Sequence, residues 1–243
     1  SCNLGLTRGI FDFSQYAELA STNPSHLVSF HENYDDAVQN LNPIINSFQQ
    51  AVHQYQIDIE LIEAFLDSME MDLEKQVYTK QLYEKYIFGS AEVVGLMCLK
   101  VFCNGDANEY NSLRHAAMKL GSAFQKVNFL RDIKADHLEL GRMYFPNMNF
   151  DCFTEEDKSL IEQEIKAEFD EALVGIAKLP PCAKKGVYLA YIYYKSLFRK
   201  IQEIPAKHIM EKRVRVPDFQ KALLMLNTFF VPQTSGKLSA HVG

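Results

Sequence analysis

The chain has 243 residues, of which 47% are apolar, and a formal net charge of −6. This length predicts one large domain or two small ones, and the apolar share is ordinary for a globular protein. The acidic balance argues against a nucleic-acid binder that works through a basic surface, so we expect no nucleic-acid partner.

The chain has five cysteines, an odd number, and no two of them form a Cys-x-x-Cys pair. This pattern predicts reduced thiols in a cytoplasmic protein rather than a disulfide framework or a zinc knuckle. The sequence does not open with a charged segment followed by an apolar one, so we expect no secretory signal. The longest apolar run, residues 93–99, is too short to span a bilayer.

Helical periodicity dominates the chain, and prolines and glycines cluster between the periodic segments. Residues 1–27 are weakly patterned and predict short helices. Further along, the predicted helices cover residues 43–55, 59–76, 80–102, 108–138, 155–177, 183–201 and 217–228.

Capping, turn and helix-breaking residues separate the predicted helices. Thr79 and Thr154 are predicted N-caps, the latter followed by acidic residues. Asn104-Gly105-Asp106 predicts a turn, residues 141–147 a loop, residues 180–181 a break and residues 214–216 a short extended piece. We therefore expect an all-α protein with one domain over residues 1–230, divergent or truncated in residues 1–40, and a loose tail over residues 231–243.

A polar stripe runs along the helix predicted for residues 108–138. Asn128, Asp132 and Asp136 are spaced i, i+4, i+8, so each lies about 40° round and about 6 Å along from the last. Gln125 extends the stripe at i−3. Such oxygens suit a hard cation like Mg²⁺ that shares its shell with phosphate. Two acids four apart also occur on solvated faces, but Asn128 is a mediocre helix former and needs another reason to lie mid-helix.

The stripe and the loop after it resemble the second aspartate-rich motif of the phytoene/squalene synthase family. That motif reads roughly Q-x-x-N-x-x-R-D-x-x-x-D, followed by G-R-x-Y-x-P. The matching residues are Gln125, Asn128, Arg131, Asp132, Asp136, Gly141, Arg142, Tyr144 and Pro146. Residues 86–95 resemble the family's Y-x-x-x-x-A-x-x-V-G helix, residues 66–73 resemble the helix before it, and the resemblance covers about residues 41–225.

The resemblance implies a single-domain helical bundle of the isoprenoid synthase type with a central apolar pocket. It implies a prenyltransferase that condenses two geranylgeranyl or farnesyl diphosphates head to head, in carotenoid or triterpenoid biosynthesis. The route is ionisation, joining to a cyclopropylcarbinyl diphosphate, then a second ionisation and rearrangement. The motifs do not separate phytoene, dehydrosqualene and squalene as products. Mg²⁺ is the implied cofactor with Mn²⁺ as an alternative, and NADPH is implied only for a squalene synthase. Peripheral membrane contact is expected because the product is a lipid.

By the same resemblance, site roles fall on particular residues. Catalytic roles fall on Asp132, Asp136, Tyr86 and Tyr193. Metal binding falls on Asn128, Asp132 and Asp136. Substrate binding falls on Gln125, Asn128, Arg131, Arg213, Ala91, Val94 and Gly95.

Structural interpretations of several of these residues stay open. Ala91 and Gly95 also suit close helix packing, and Tyr86 and Tyr193 also suit ordinary buried tyrosines. Arg213 on its own suits a surface charge. A second acidic group does not reproduce the stripe's spacing, and we interpret it as a solvated face: Asp67, Glu70 and Asp72.

The chain departs from the family in one respect. The family's first aspartate-rich motif resembles R-x-x-D-D-x-x-D, but Asp132 and Asp136 form the sole D-x-x-x-D pair here. Ser29 stands where the family often has an aspartate, in I-V-D-x-F-H. Three explanations are open: the chain is a fragment, it is a divergent member with lost catalysis that serves as a binding or assembly protein, or Glu32 and Asp36 substitute imperfectly for the missing acids.

Overall fold

The computed structural model describes residues 43–73, 78–138, 144–146 and 153–209, and within these ranges every regular element is helical. The all-α prediction is confirmed. A 3₁₀ turn, Met71–Leu73, follows the second helix, and a π-helical segment, Phe88–Glu92, joins the third to the fourth. The helices are α1 (Pro43–Tyr55), α2 (Ile59–Glu70), α3 (Lys80–Ile87), α4 (Val93–Cys103), α5 (Ala107–Leu138), α6 (Glu155–Ile176), α7 (Pro181–Gln202) and α8 (Ala206–Ile209).

The chain divides into two compact units, Ser1–Gln54 and Tyr55–Gly243. The described part of the first unit is α1 without its last residue, Tyr55, which belongs to the second unit. This helix begins at Pro43, whose fixed φ suits a first helical turn. The second unit contains α2 to α8. Several predictions involve residues outside those described, so they stay predictions. They are the domain over residues 1–230 with its divergent first 40 residues, the elements predicted for 1–27, 214–216 and 217–228, and the tail over 231–243.

The predicted helix ends largely agree with the structure. Thr79 Oγ1 accepts a hydrogen bond from the Leu82 amide at 3.3 Å. Thr154 forms a capping box with Asp157, and Asn104 ends α4 in the left-handed region at φ 47°. The start predicted for α7 at residue 183 is wrong: the helix begins at Pro181, because a proline in the first turn needs no hydrogen-bonded N–H.

The long apolar helix is less regular than predicted. The sequence indicated one helix over residues 80–102, but the π-helical segment Phe88–Glu92 interrupts it. A Cβ built on Gly89 would lie 2.3 Å from the carbonyl oxygen of Ala64, so α2 crosses this segment too closely for any side chain. Such π segments occur often at functional sites.

The continuous run Lys80–Cys103 is long and apolar enough to cross a membrane, with a mean hydropathy of 1.6 over its best window. The sequence expectation rested on the longest stretch of consecutive apolar residues, 93–99, and therefore did not anticipate this longer run. In the part of the chain that the structure describes, 44% of that window is buried inside the protein. The helices α2 and α5 pack against the run, so a core helix accounts for its composition.

Helix α5 is the centre of the second unit. It packs along α6 on one side and along α4 and the π-helical segment on another. Its apolar residues are buried against those of its neighbours, which supplies most of the stabilisation of a helix this long. The most deeply buried members of this core include Val93, Leu96, Val127, Leu130, Ile165, Phe169, Tyr191, Leu197 and Ile201.

A charged cluster is buried between α5 and α6. Lys126 is 3% exposed, and its Nζ lies 2.7 Å from Glu168 Oε1 and 2.6 Å from Glu164 Oε1. Ser122 Oγ donates to Glu168 Oε1 at 2.8 Å. Because a buried charge is costly without a partner, these residues fix how α5 faces α6.

Candidate functional site

The polar stripe lies on a single uninterrupted helix. Gln125, Asn128, Asp132 and Asp136 all belong to α5 (Ala107–Leu138), and each is half-buried. The helical spacing therefore places their oxygens along one side of α5, as predicted. A fully solvated face would leave them exposed, which they are not.

Asp132 and Arg131 pair with each other. Arg131 Nε donates to Asp132 Oδ1 at 3.1 Å and to Oδ2 at 3.2 Å, and both side chains are 21% exposed. Burial lowers the pKa of Arg131, but the hydrogen bond and the charge of Asp132 outweigh it and raise that pKa overall. The guanidinium is therefore a permanent positive charge beside the carboxylate, suited to hold an anion such as a phosphate.

Tyr194 of α7 contacts the stripe directly. Its hydroxyl donates to Asn128 Oδ1 at 3.3 Å, and its ring stacks on Phe124 with centroids 3.9 Å apart. Burial raises the pKa of Tyr194, while Asn128 and Arg131 lower it. Tyr193, the tyrosine implied by the resemblance, packs edge-on against Tyr194 at 5.6 Å. The resemblance indicated Tyr193, but the rotation of α7 decides which tyrosine of this helix reaches Asn128.

Tyr86 is buried with its hydroxyl hydrogen-bonded, as the interpretation of an ordinary buried tyrosine expects, and its catalytic role stays a prediction. Its hydroxyl donates to both carboxylate oxygens of Asp72, at 3.0 and 3.1 Å, and its ring is 4% exposed. Burial raises the pKa of Tyr86, and the charges of Tyr144 and Asp72 raise it further, so the phenol stays protonated. The interpretation of Asp72 as a solvated acid is wrong, because it is half-buried and holds this hydroxyl. Asp67 and Glu70 are exposed, as that interpretation requires.

An apolar cavity of about 300 Å³ lies between α4, α5, α6 and α7. Ala91, Val94 and Gly95 line it from the α4 side, and Gln125, the first residue of the stripe, lines it from α5. A Cβ on Gly95 would lie 2.7 Å from the carbonyl oxygen of Ala117, so this glycine also allows α4 and α5 to pack closely. Both interpretations of these small residues therefore hold structurally, and their contact with substrate stays a prediction.

The metal ligands implied by the resemblance are two carboxylates and an amide on one helix. No group of three or more histidine, cysteine, aspartate or glutamate side chains gathers within residues 43–73, 78–138, 144–146 and 153–209. Asn128, Asp132 and Asp136 nevertheless fit Mg²⁺, with one or two of them to an ion and its other oxygens from a phosphate or water, because Mg²⁺ seldom uses a full protein cage. Arg213 and the region around Ser29, Glu32 and Asp36 lie outside the described residues.

Comparison with known proteins supports the motif. The chain matches the squalene/phytoene synthase family over residues 15–220, and it belongs to that family. It is 31% identical over 172 residues to the chloroplastic phytoene synthase of Daucus carota, covering 62% of this chain and 42% of that protein. It is 30% identical over 124 residues to the bifunctional lycopene cyclase/phytoene synthase of Blakeslea trispora, covering 50% and 20%.

Two solved structures show the same fold. A dehydrosqualene synthase in complex with a ligand superposes with a TM-score of 0.71 at 16% identity, covering 91% of this chain and 82% of that one. The squalene synthase HpnC of Alicyclobacillus acidocaldarius superposes with a TM-score of 0.62 at 19% identity, covering 77% and 73%. The chain therefore has the all-α isoprenoid synthase fold. It spans about two-fifths of the length of the plant phytoene synthase that it matches.

Proposed function

We propose that the chain joins two prenyl diphosphates, geranylgeranyl or farnesyl, head to head. The proposal rests on one observation: the apolar cavity and the polar stripe meet at the same residue of α5. Gln125 lines the apolar cavity and begins the row that continues through Asn128, Asp132 and Asp136. A molecule with an anionic diphosphate head and a long apolar tail matches such a site, with the head at the stripe and the tail in the cavity.

The residues of the stripe have different roles in binding the head group. Asn128, Asp132 and Asp136 would hold Mg²⁺, which when bound neutralises the charge that develops on a departing diphosphate. Arg131 keeps its positive charge next to Asp132 and adds a donor for a phosphate oxygen. Tyr194 donates a hydrogen bond to Oδ1 of Asn128, so the orientation of the Asn128 amide is fixed before the ligand binds.

The cavity protects the cationic stage of the reaction. The carbon–oxygen bond of one substrate breaks and its electron pair leaves on the diphosphate. The double bond of the second substrate then attacks the allylic carbon, and loss of a proton closes the cyclopropane. A second departure of diphosphate starts the rearrangement, which ends with loss of a proton. A squalene synthase would instead need a hydride donor, which NADPH would supply. Water would quench either cation, so walls such as Val94 and Phe124 serve by excluding it.

The test is incubation with labelled geranylgeranyl or farnesyl diphosphate and Mg²⁺, followed by lipid extraction. We expect a coupled C40 or C30 product, and we expect Asp132→Ala to lower kcat by about 10²–10³-fold, the cost of removing one group that stabilises developing charge. Asp170→Ala is the matched control, because Asp170 is an exposed carboxylate on α6 that pairs with the half-buried Lys195 at 3.7 Å. Full rate in the Asp132 variant would refute the metal assignment.

A second candidate is a catalytically impaired binding or assembly protein on the same fold. It is favoured by one observation, the single D-x-x-x-D pair of the sequence. Titration with Mg²⁺ and inorganic diphosphate separates the two candidates. Binding that Asp132→Ala abolishes, together with no coupled product from either substrate, would establish the second candidate in place of the first.

A further inference from the structure

Asp72 lies where α2 ends, in the 3₁₀ turn Met71–Leu73, and its carboxylate accepts the Tyr86 hydroxyl with both oxygens. Tyr86 is buried, so its hydroxyl has to find a partner inside the protein. A hydrogen bond to a carboxylate is stronger than one between neutral groups. Asp72 therefore fixes the polar end of a buried ring that carries a site role in the family resemblance.

The Tyr86 ring is one member of an aromatic cluster. It contacts Tyr78 edge-on at 5.5 Å between centroids, Tyr144 at 5.3 Å and Phe129 at 6.0 Å. Phe129 and Tyr144 stack on each other at 4.1 Å with their planes 10° apart. Aromatic pairs prefer particular orientations, so the position of one ring restricts those of its neighbours. The cluster thereby ties α3, α5 and the segment Tyr144–Pro146 together.

Two members of this cluster connect it to the stripe. Phe129 directly follows Asn128 and lies three residues before Asp132 on the same helix. Because α5 is one continuous helix, a rotation of α5 that moves the Phe129 ring turns Asn128 and Asp132 by the same angle. Tyr144 belongs to the G-R-x-Y-x-P segment that follows the stripe. A carboxylate in the 3₁₀ turn after α2 is thus linked, through one hydroxyl and three rings, to the side chains at the head-group site.

We propose that Asp72 is a positioning residue for this site: by holding Tyr86 it sets the aromatic cluster that orients the Asn128–Asp132 part of α5 toward the diphosphate. The proposal rests on the proposed function. Asp72 does not itself touch the substrate. Its contribution is geometric, and a misplacement of about 1 Å can cost roughly a hundredfold in rate.

The experiment compares Asp72→Leu, Asp72→Asn, Tyr86→Phe and the double variant Asp72→Leu/Tyr86→Phe in the coupling assay, well below each Tm. The double variant leaves neither partner of the hydrogen bond unpaired, so we expect its Tm to lie close to that of the parent chain. We expect kcat to fall by about ten- to a hundredfold in Asp72→Leu, with KM within about threefold. We expect the double variant to be no slower than the slower single variant, and Asp72→Asn, which keeps an acceptor, to recover most of the rate.

Asp67→Asn is the matched control, because Asp67 lies near the end of α2, just before the turn that carries Asp72, in an exposed pair with Lys85 at 3.3 Å. A double variant with both normal Tm and normal kcat would overturn the proposal. Rate losses that multiply in the double variant would overturn it as well, because they would mean that the two residues act independently.

A parent chain without any coupled product would refute the proposed function and still allow Asp72 to be judged. The readout is then the dissociation constant of inorganic diphosphate with Mg²⁺, measured by calorimetry. We expect it to rise about tenfold in the double variant and to stay unchanged in Asp67→Asn. Equal affinities in the parent and the double variant would refute the positioning role.

Discussion

Replacing Lys126 by methionine tests the buried charged cluster between α5 and α6. The Lys126 side chain is 4% exposed and that of Glu168 is 6% exposed, so the change leaves a buried carboxylate without its closest cation. Lys119 Nζ, at 3.7 Å from Glu168, compensates only in part. Breaking one side of a buried pair typically costs about 3–5 kcal/mol. At about 2–4 °C per kcal/mol for a chain of this size, Tm should fall by roughly 6–20 °C.

The assay is urea and thermal unfolding followed by far-UV circular dichroism. Lys166→Met is the matched control, because Lys166 is exposed on α6. The double variant Lys126→Met/Glu168→Leu should return to within about 1 kcal/mol of the parent, since an apolar pair of similar volume often replaces a buried ion pair without loss. Ser122 can then turn its hydroxyl to a carbonyl one turn back. A Lys126→Met variant as stable as the control, or a double variant as unstable as the single, would refute this account of the cluster.

Three further predictions concern packing, ionisation and thiol reactivity. Gly121→Ala places a Cβ 2.5 Å from the carbonyl oxygen of Ala91, so it should push α5 from the π-helical segment and lower stability by about 1–3 kcal/mol, measured by urea unfolding. Burial raises the pKa of Glu92 above its ordinary 4.5. The ionised form therefore opposes folding above the raised pKa, and Glu92→Gln should stabilise the protein at pH 7 but not below pH 4.5; an equal effect at both would contradict it. Burial also raises the pKa of the Cys103 thiol to about 11, so iodoacetamide at pH 8 should modify exposed Cys182 at least about a hundredfold faster, as mass spectrometry of the peptides can show.

Local signals account for the parts of the fold that the sequence predicted well. Thr154 and the acidic residues after it mark the start of α6, and Asn104 marks the end of α4, because capping depends on residues within one turn. The π-helical segment Phe88–Glu92 escaped prediction because its cause is not local. It lies where α2 crosses at Gly89, and such a crossing depends on residues more than twenty positions away in the chain.

The same contrast between local and non-local causes applies to the candidate site. The helical spacing of Asn128, Asp132 and Asp136 follows from the backbone period alone, so the sequence could place these oxygens on one side of α5. The partners on other helices could not be placed this way. Tyr194 rather than its neighbour Tyr193 reaches Asn128 because of the rotation of α7, and Asp72 receives the Tyr86 hydroxyl because α2 ends beside α3.

The sequence by itself therefore determined the all-α class, the order of the described helices, the polar stripe and, through its motifs, the family. Each of these depends on residues within a turn or two of one another, or on a pattern written along one helix. Only the tertiary structure decided the depth of the cavity, the burial of Lys126 and the partner of Tyr86. These depend on how separate helices approach and turn toward each other, and that choice is made by the packing of the whole core rather than by any one segment.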